Sequence, residues 1–149
     1  MTRLTLAALV ASTAILATTG LSAENLEAIK ARKALLKEMA DATKEPGAML
    51  KQEKPFDLAA VKQALAKYQE NAPKIAKLFP EDSKTGGDTE ALPAIWENKD
   101  DFVKRYEKLA ADAKAAEAAI TDEFSFMDEF PKVAGNCGGC HKKYRQEKN

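Results

Sequence analysis

The sequence predicts an all-α fold, an antiparallel four-helix bundle, and three observations carry that reading. Apolar residues recur at spacings of three and four. Pro- and Gly-bearing interruptions fall between the periodic segments. Ala, Lys, Glu and Leu dominate, and the β-branched alternation that marks strands scarcely occurs.

A leader precedes the periodic segments. Arg3 supplies a positive start, and Leu4 to Ala17 form an apolar run of signal-peptide length, short for a bilayer span. Ala23 is the expected last residue before cleavage, so residues 1–23 read as a signal peptide and residues 24–149 as one domain with its own core. A retained anchor is the alternative, and the short run followed by Ala23-Glu24 argues against it. The processed chain is therefore expected in the periplasm, without a membrane span. Lys and Arg number 23, Asp and Glu number 23, so no basic excess points to a nucleic-acid partner.

In the first helical segment Leu26, Ile29, Leu36 and Ala40 share a stripe, with Leu35 and Met39 beside it. Lys54-Pro55-Phe56-Asp57 ends it, and Asp57 caps the second segment by accepting from its free N–H groups. There Leu58, Val61, Leu65, Tyr68, Ala72, Ile75 and Phe79 keep one face apolar. Pro46-Gly47 and Pro73 interrupt these two segments, each a point for a kink or an early ending. From Pro80 through Gly86-Gly87-Asp88 to about Trp96 the chain reads as a loop. The third segment carries Phe102, Tyr106, Leu109, Ala113, Ala116 and Ile120, and Thr121 or Asp122 opens the fourth.

The fourth stripe is Phe126, Phe130, Val133, Cys137, Cys140 and Tyr144. It holds both cysteines of the chain, and the only histidine, His141, follows at once. On a helix the two thiols lie one turn apart on the core-facing side, about 5–6 Å from each other. The imidazole points roughly 100° further round. Cys-x-x-Cys-His at this spacing is a haem-attachment signal. Two residues must separate the thiols for them to add across the two vinyl groups of haem, and the histidine must follow directly to ligate the iron. Three rival readings use the same residues. A thioredoxin-type pair belongs at the start of a helix after a strand, and no strand pattern exists here. A zinc site needs about four ligands, and no further Cys or His is present to supply them. A disulfide across two residues of a helix leaves the histidine unexplained. One covalent haem c per chain is the expectation.

With these residues in view, the chain resembles the cytochrome c-prime family, four-helix-bundle haem proteins. The resemblance runs through Ile29-Lys30-Ala31-Arg32-Lys33-Ala34-Leu35-Leu36, Glu53-Lys54-Pro55-Phe56-Asp57 and Leu78-Phe79-Pro80. It continues through Gly86-Gly87-Asp88, Pro93-Ala94-Ile95-Trp96, Asp101-Phe102 and the segment Cys137 to Arg145. It implies that His141 is the axial ligand and that the haem lies within the bundle. It puts Arg32 close to a haem propionate, with an exposed arginine on a polar face as the alternative. Asp88 and Thr89 match a loop along the haem edge. Arg145 matches an arginine near the proximal pocket, and the alternative is a helix C-terminal charge opposing the dipole.

The family also frames the other side of the iron. Low-spin members place a methionine of the first helix there, whereas high-spin members have an apolar residue and five-coordinate iron. The matching position is Leu36, which has no lone pair and can only cover that face. Met39 lies about 60° round the helix and 4.5 Å along it, so a six-coordinate electron-transfer cytochrome with Met39 as distal ligand is the alternative, although methionine at helical spacing is also ordinary core filler. The expectation is a five-coordinate haem protein that binds small gases such as NO and CO, or transfers electrons to an unidentified redox protein. No nucleophile–base constellation marks an enzyme, and Glu123 and Asp128 read as a solvated face. Family members are often homodimers packed through the first two helices, so a homodimer is expected.

Overall fold

A computed structural model describes residues 25–147. The leader assigned to residues 1–23 lies outside the described residues. Four long helices form the expected antiparallel bundle: α1 (Leu26–Leu50), α2 (Leu58–Ala76), α4 (Lys99–Ala119) and α5 (Glu123–Tyr144). A single-turn helix, α3 (Ala94–Glu97), and a 3-10 turn over Glu81–Ser83 punctuate the stretch expected to be loop throughout. No named strand occurs among the described residues.

The helix starts are capped as side-chain chemistry requires. Asn25 Oδ1 accepts from Ala28 N at 3.0 Å, and Asp57 Oδ1 accepts from the amides of Ala59 and Ala60. Asp122 and Ser125 form a reciprocal capping box at the head of α5, where each accepts from the other's backbone N–H. Such caps stabilise a helix by about 1 kcal/mol each.

Both prolines expected to kink or end their helices sit inside them: α1 runs through Pro46 to Leu50, and α2 through Pro73 to Ala76. Neither helix ends early, because burial holds the turn beyond each proline. Met49 is in the core past Pro46, and Ile75 and Ala76 are in the core past Pro73. Packing of an apolar face outweighs the lost backbone hydrogen bond. Pro131 is carried within α5 in the same way.

The core follows the stripes. All six residues of the third stripe, on α4 and its C-cap Ile120, are buried, as are Val61, Leu65, Tyr68, Ala72 and Ile75 on α2 and Phe79 just beyond it. A chain of edge-to-face rings links Phe79, Phe102, Tyr106 and Tyr144 across the bundle. The α1 stripe departs from the expectation: Ile29 is buried, but Leu36 is half-buried, and Leu26 and Ala40 are exposed. α2 packs between α1 and α4, and α5 packs on α4. Between α1 and the C-terminal part of α5 lies a cavity, and Leu36 and Ala40 face it.

One buried cation organises the long α2–α3 connection. Arg32 is 2% exposed, and its guanidinium donates to Leu78 O (3.1 Å), Ser83 Oγ (2.8 Å), Ser83 O (2.9 Å) and Thr89 Oγ1 (2.7 Å). It also stacks over the Phe79 ring at 4.3 Å. Gly86, Gly87 and Asp88 turn the loop with left-handed φ values of 85°, 53° and 51°. Gly87 has a second reason to be glycine, because a Cβ there would stand 3.1 Å from Ile29 Cγ2.

Candidate cofactor site

The cavity measures about 490 Å³, within the range of small-molecule and cofactor sites. α1 supplies Lys33, Leu36, Lys37 and Ala40, and the connection supplies Phe79, Asp88, Thr89, Glu90 and Ala91. Tyr106 comes from α4, while His141, Tyr144 and Arg145 come from the end of α5. Four separate parts of the chain therefore meet around His141.

Cys137 and Cys140 are half-buried on the face of α5 that continues the core stripe. Burial pushes both thiols up from their ordinary pKa. Both stand near enough to the buried Tyr106 hydroxyl to act on it electrostatically, and burial together with Cys140 and then Cys137 drives that phenol upward. Neither cysteine is among the residues that line the cavity. His141 lines the cavity, and its pKa is lowered by burial first and then by the neighbouring Arg145 cation, so the neutral imidazole that a metal requires is the favoured form.

The cysteine turn is glycine-rich: Gly135, Gly138 and Gly139 lie within a continuous helix. Each costs a helix interior about 1 kcal/mol relative to alanine. A Cβ at Gly138 would meet nothing within 4 Å, so the surface between the two thiols is open. Two thiols one turn apart, an imidazole at the cavity wall, open glycine between them and aromatic walls from Phe79, Tyr106 and Tyr144 fit a flat, largely apolar group held covalently.

The end of α5 is sewn to the loop opposite. Arg145 Nε pairs with Glu90 Oε2 at 2.6 Å, and Gln146 N donates to Glu90 O and Leu92 N to Tyr144 O. Arg145 is thus a cavity residue with a specific partner as well as a charge at a helix end. Asp88 and Thr89 both line the cavity. The exposed-surface alternative for Arg32 is overturned by its burial. Arg32 is not among the lining residues, and it stands behind them, bonded to Thr89 and stacked on Phe79. Leu36 faces the cavity, whereas Met39 is 6% exposed within the core and outside the lining. Met49 is also in the core, and Met127 is exposed.

Several lining residues carry no signal of that role in the sequence. Phe79, Tyr106 and Tyr144 read as core stripe positions, and only their shared aromatic character sets them apart. Glu90 and Ala91 owe their place to the pairing of the loop with the end of α5, which no local pattern announces.

The profile of the family described as Cytochrome C' matches residues 27–145. Cytochrome c' of Rhodopseudomonas palustris is 47% identical over 130 residues, covering 87% of this chain and 89% of that protein. Cytochrome c-556 of Agrobacterium tumefaciens (strain apple 185) is 39% identical over 122 residues, covering 80% of this chain and 94% of its own. The solved cytochrome c' from Rhodopseudomonas palustris superposes with a TM-score of 0.81 at 49% identity, covering 82% of this chain and 98% of that one.

Proposed function

The chain belongs to the cytochrome c' family and is a c-type haem protein, and from that premise we propose that it is an exported, five-coordinate haem protein that binds small gases and exchanges electrons. In this reading Cys137 and Cys140 would hold the haem as thioethers, His141 would ligate its iron, and Leu36 would limit access from the α1 side of the cavity. The observation that carries it is the cavity in which Leu36 of α1 and His141 of α5 are both wall residues while Met39 lies outside the lining.

When bound, haem c supplies an iron that changes between ferric and ferrous states and can take a small diatomic molecule at an open position. The chain's own residues do the rest. Phe79, Tyr106 and Leu36 give the cavity an apolar wall. The Tyr106 phenol, held protonated by burial, adds no negative charge to the site. Arg32 fixes Thr89 and Phe79 from behind, so the loop wall keeps its shape without placing its own cation in the cavity. The Arg145–Glu90 pair and the backbone bonds beside it tie the helix that bears His141 to the opposite loop.

Export by cleavage after Ala23, a periplasmic location, a homodimer through α1 and α2 and an unidentified redox protein complete the proposal. No helix among the described residues is long and apolar enough to cross a membrane.

The test is spectroscopic. The exported protein should give a broad high-spin Soret band that shifts on adding CO, and Met39→Ala should leave that spectrum unchanged. A sharp low-spin α-band, indifferent to CO and turned high-spin by Met39→Ala, would establish the six-coordinate alternative instead.

A further inference from the structure

The glycine-rich turn from Gly135 to Cys140 is the weakest helix in the bundle by composition, yet it must hold two thiols and an imidazole in fixed relation. What keeps it in place comes from α4. Beside the buried stripe of that helix runs a polar one, Asp101, Arg105, Lys108 and Asp112, at spacings of four, three and four. Asp101 Oδ2 accepts from Tyr144 Oη at 2.5 Å, Arg105 Nε at 2.9 Å and Lys143 Nζ at 3.0 Å. Arg105 forks, and its Nη1 donates to Gly139 O at 3.3 Å, inside the Cys-x-x-Cys turn. Asp112 Oδ2 accepts from Asn136 Nδ2 at 2.8 Å, on the residue just before Cys137.

We propose that this stripe of α4 is a clamp, with Asp101, Arg105 and Asp112 acting as positioning residues that hold the attachment turn of α5 helical and fix where His141 stands in the cavity. The bonds bracket the turn at Asn136, Gly139 and Tyr144, one before the thiols, one between them and one after the imidazole. All three acceptor–donor pairs involve a charged group, the stronger kind of hydrogen bond. The Asp101 carboxyl is held well below the usual carboxylate range by Tyr144, then Arg105, then Lys143, so the hub stays ionised at any pH at which the protein works. The significance of that position for the iron rests on His141 being the axial ligand.

The test is residue-resolved amide hydrogen exchange on the purified haem-bearing protein, with the ferric electron paramagnetic resonance spectrum recorded alongside. Arg105→Met should speed exchange at residues 138–142 about tenfold, the loss expected of one charge-assisted bond, leave α1 and α2 unchanged and shift the ferric signal. Arg105→Lys keeps the charge but cannot fork to both acceptors, and should fall between the two. Should Arg105→Met fail to fold, Asn136→Ala removes the bond before the thiols and carries the same comparison. Unchanged exchange at 138–142 in the variants, or an equal rise in every helix, overturns the clamp. The absorption spectrum of the unaltered protein reports covalent haem separately. A haem-free protein would therefore sink the functional reading while the exchange comparison still decides the clamp.

Discussion

On the proposed reading, Leu36 is the position at which a single side chain sets the chemistry of the cavity. It projects from α1 into the space that His141 borders from α5, and it offers bulk without a lone pair. Two substitutions separate these properties. Leu36→Met conserves volume and adds a thioether, so the spectrum should turn low-spin and lose its response to CO. Leu36→Ala removes the bulk, and CO association measured by stopped flow should speed up on the order of tenfold, the relief of roughly 1–3 kcal/mol of crowding. Arg32 governs the wall behind. Arg32→Met keeps much of the packing on Phe79 but removes the buried donor to Ser83 and one of the two donors to Thr89 Oγ1, which still accepts from Ala91 N. Thermal unfolding should show a loss of about 3 kcal/mol, with a changed Soret band because Thr89 lines the cavity. An unshifted melting temperature would mean that the guanidinium bonds contribute nothing net.

At the scale of the element, the attachment helix and the α2–α3 connection use glycine for opposite reasons, and alanine scanning separates them. Gly135→Ala should stabilise the protein by about 0.5–1 kcal/mol, since the position is helical and a Cβ there meets nothing within 4 Å. Gly87→Ala should destabilise it by about 1–3 kcal/mol, because φ is +53° and Ile29 Cγ2 is 3.1 Å from the new methyl. Denaturant titration of the two variants should move the midpoint in opposite directions. The same contrast explains what was legible in the sequence. The α4 stripe and the Asp57 and Asp122 caps were readable because spacing and local hydrogen bonding determine them. Cys137, Cys140 and His141 stand out in the sequence because haem attachment demands contiguity, and they remain the proposed attachment residues. The α1 stripe misled at Leu26 and Ala40, both exposed, since periodicity alone cannot tell a core face from a cavity or solvent face. Pro46 and Pro73 do not end their helices, because the burial that carries each helix past its proline comes from other helices. The anchoring of Arg32 joins α1 to a loop some fifty residues on, beyond the reach of any local pattern.

Taken as a whole, the molecule has a near-neutral surface of interleaved charges, with its least symmetric charge placement buried at Arg32. Most ion pairs are exposed and join neighbouring turns of one helix, so each contributes little by itself. Together they give stability a definite pH dependence. Asp41 is lowered to about 2 by hydrogen bonds from Lys37 and Lys44, and Glu70 to about 2 by Lys74 and Lys67. The Asp101 carboxyl is lowered in the same direction. A group whose pKa is depressed in the folded state contributes stability that is fully present above its unfolded value, near 4 for carboxylates. That contribution is lost as pH falls through the folded value. The carboxylate contribution should therefore be level down to about pH 5 and decline from about pH 4 towards pH 2, read as the fall in melting temperature over that range. Because these carboxylates are solvent-exposed, raising the salt to 1 M, where the Debye length is about 3 Å, should flatten the decline. The Asp101 portion should survive salt best, since it involves the buried Tyr144 and three donors on one oxygen. Asp101→Asn should then remove the salt-resistant part of the acid transition and leave the salt-sensitive part in place. A transition equally sensitive to salt in both proteins would show that the Asp101 hub acts as one more surface pair.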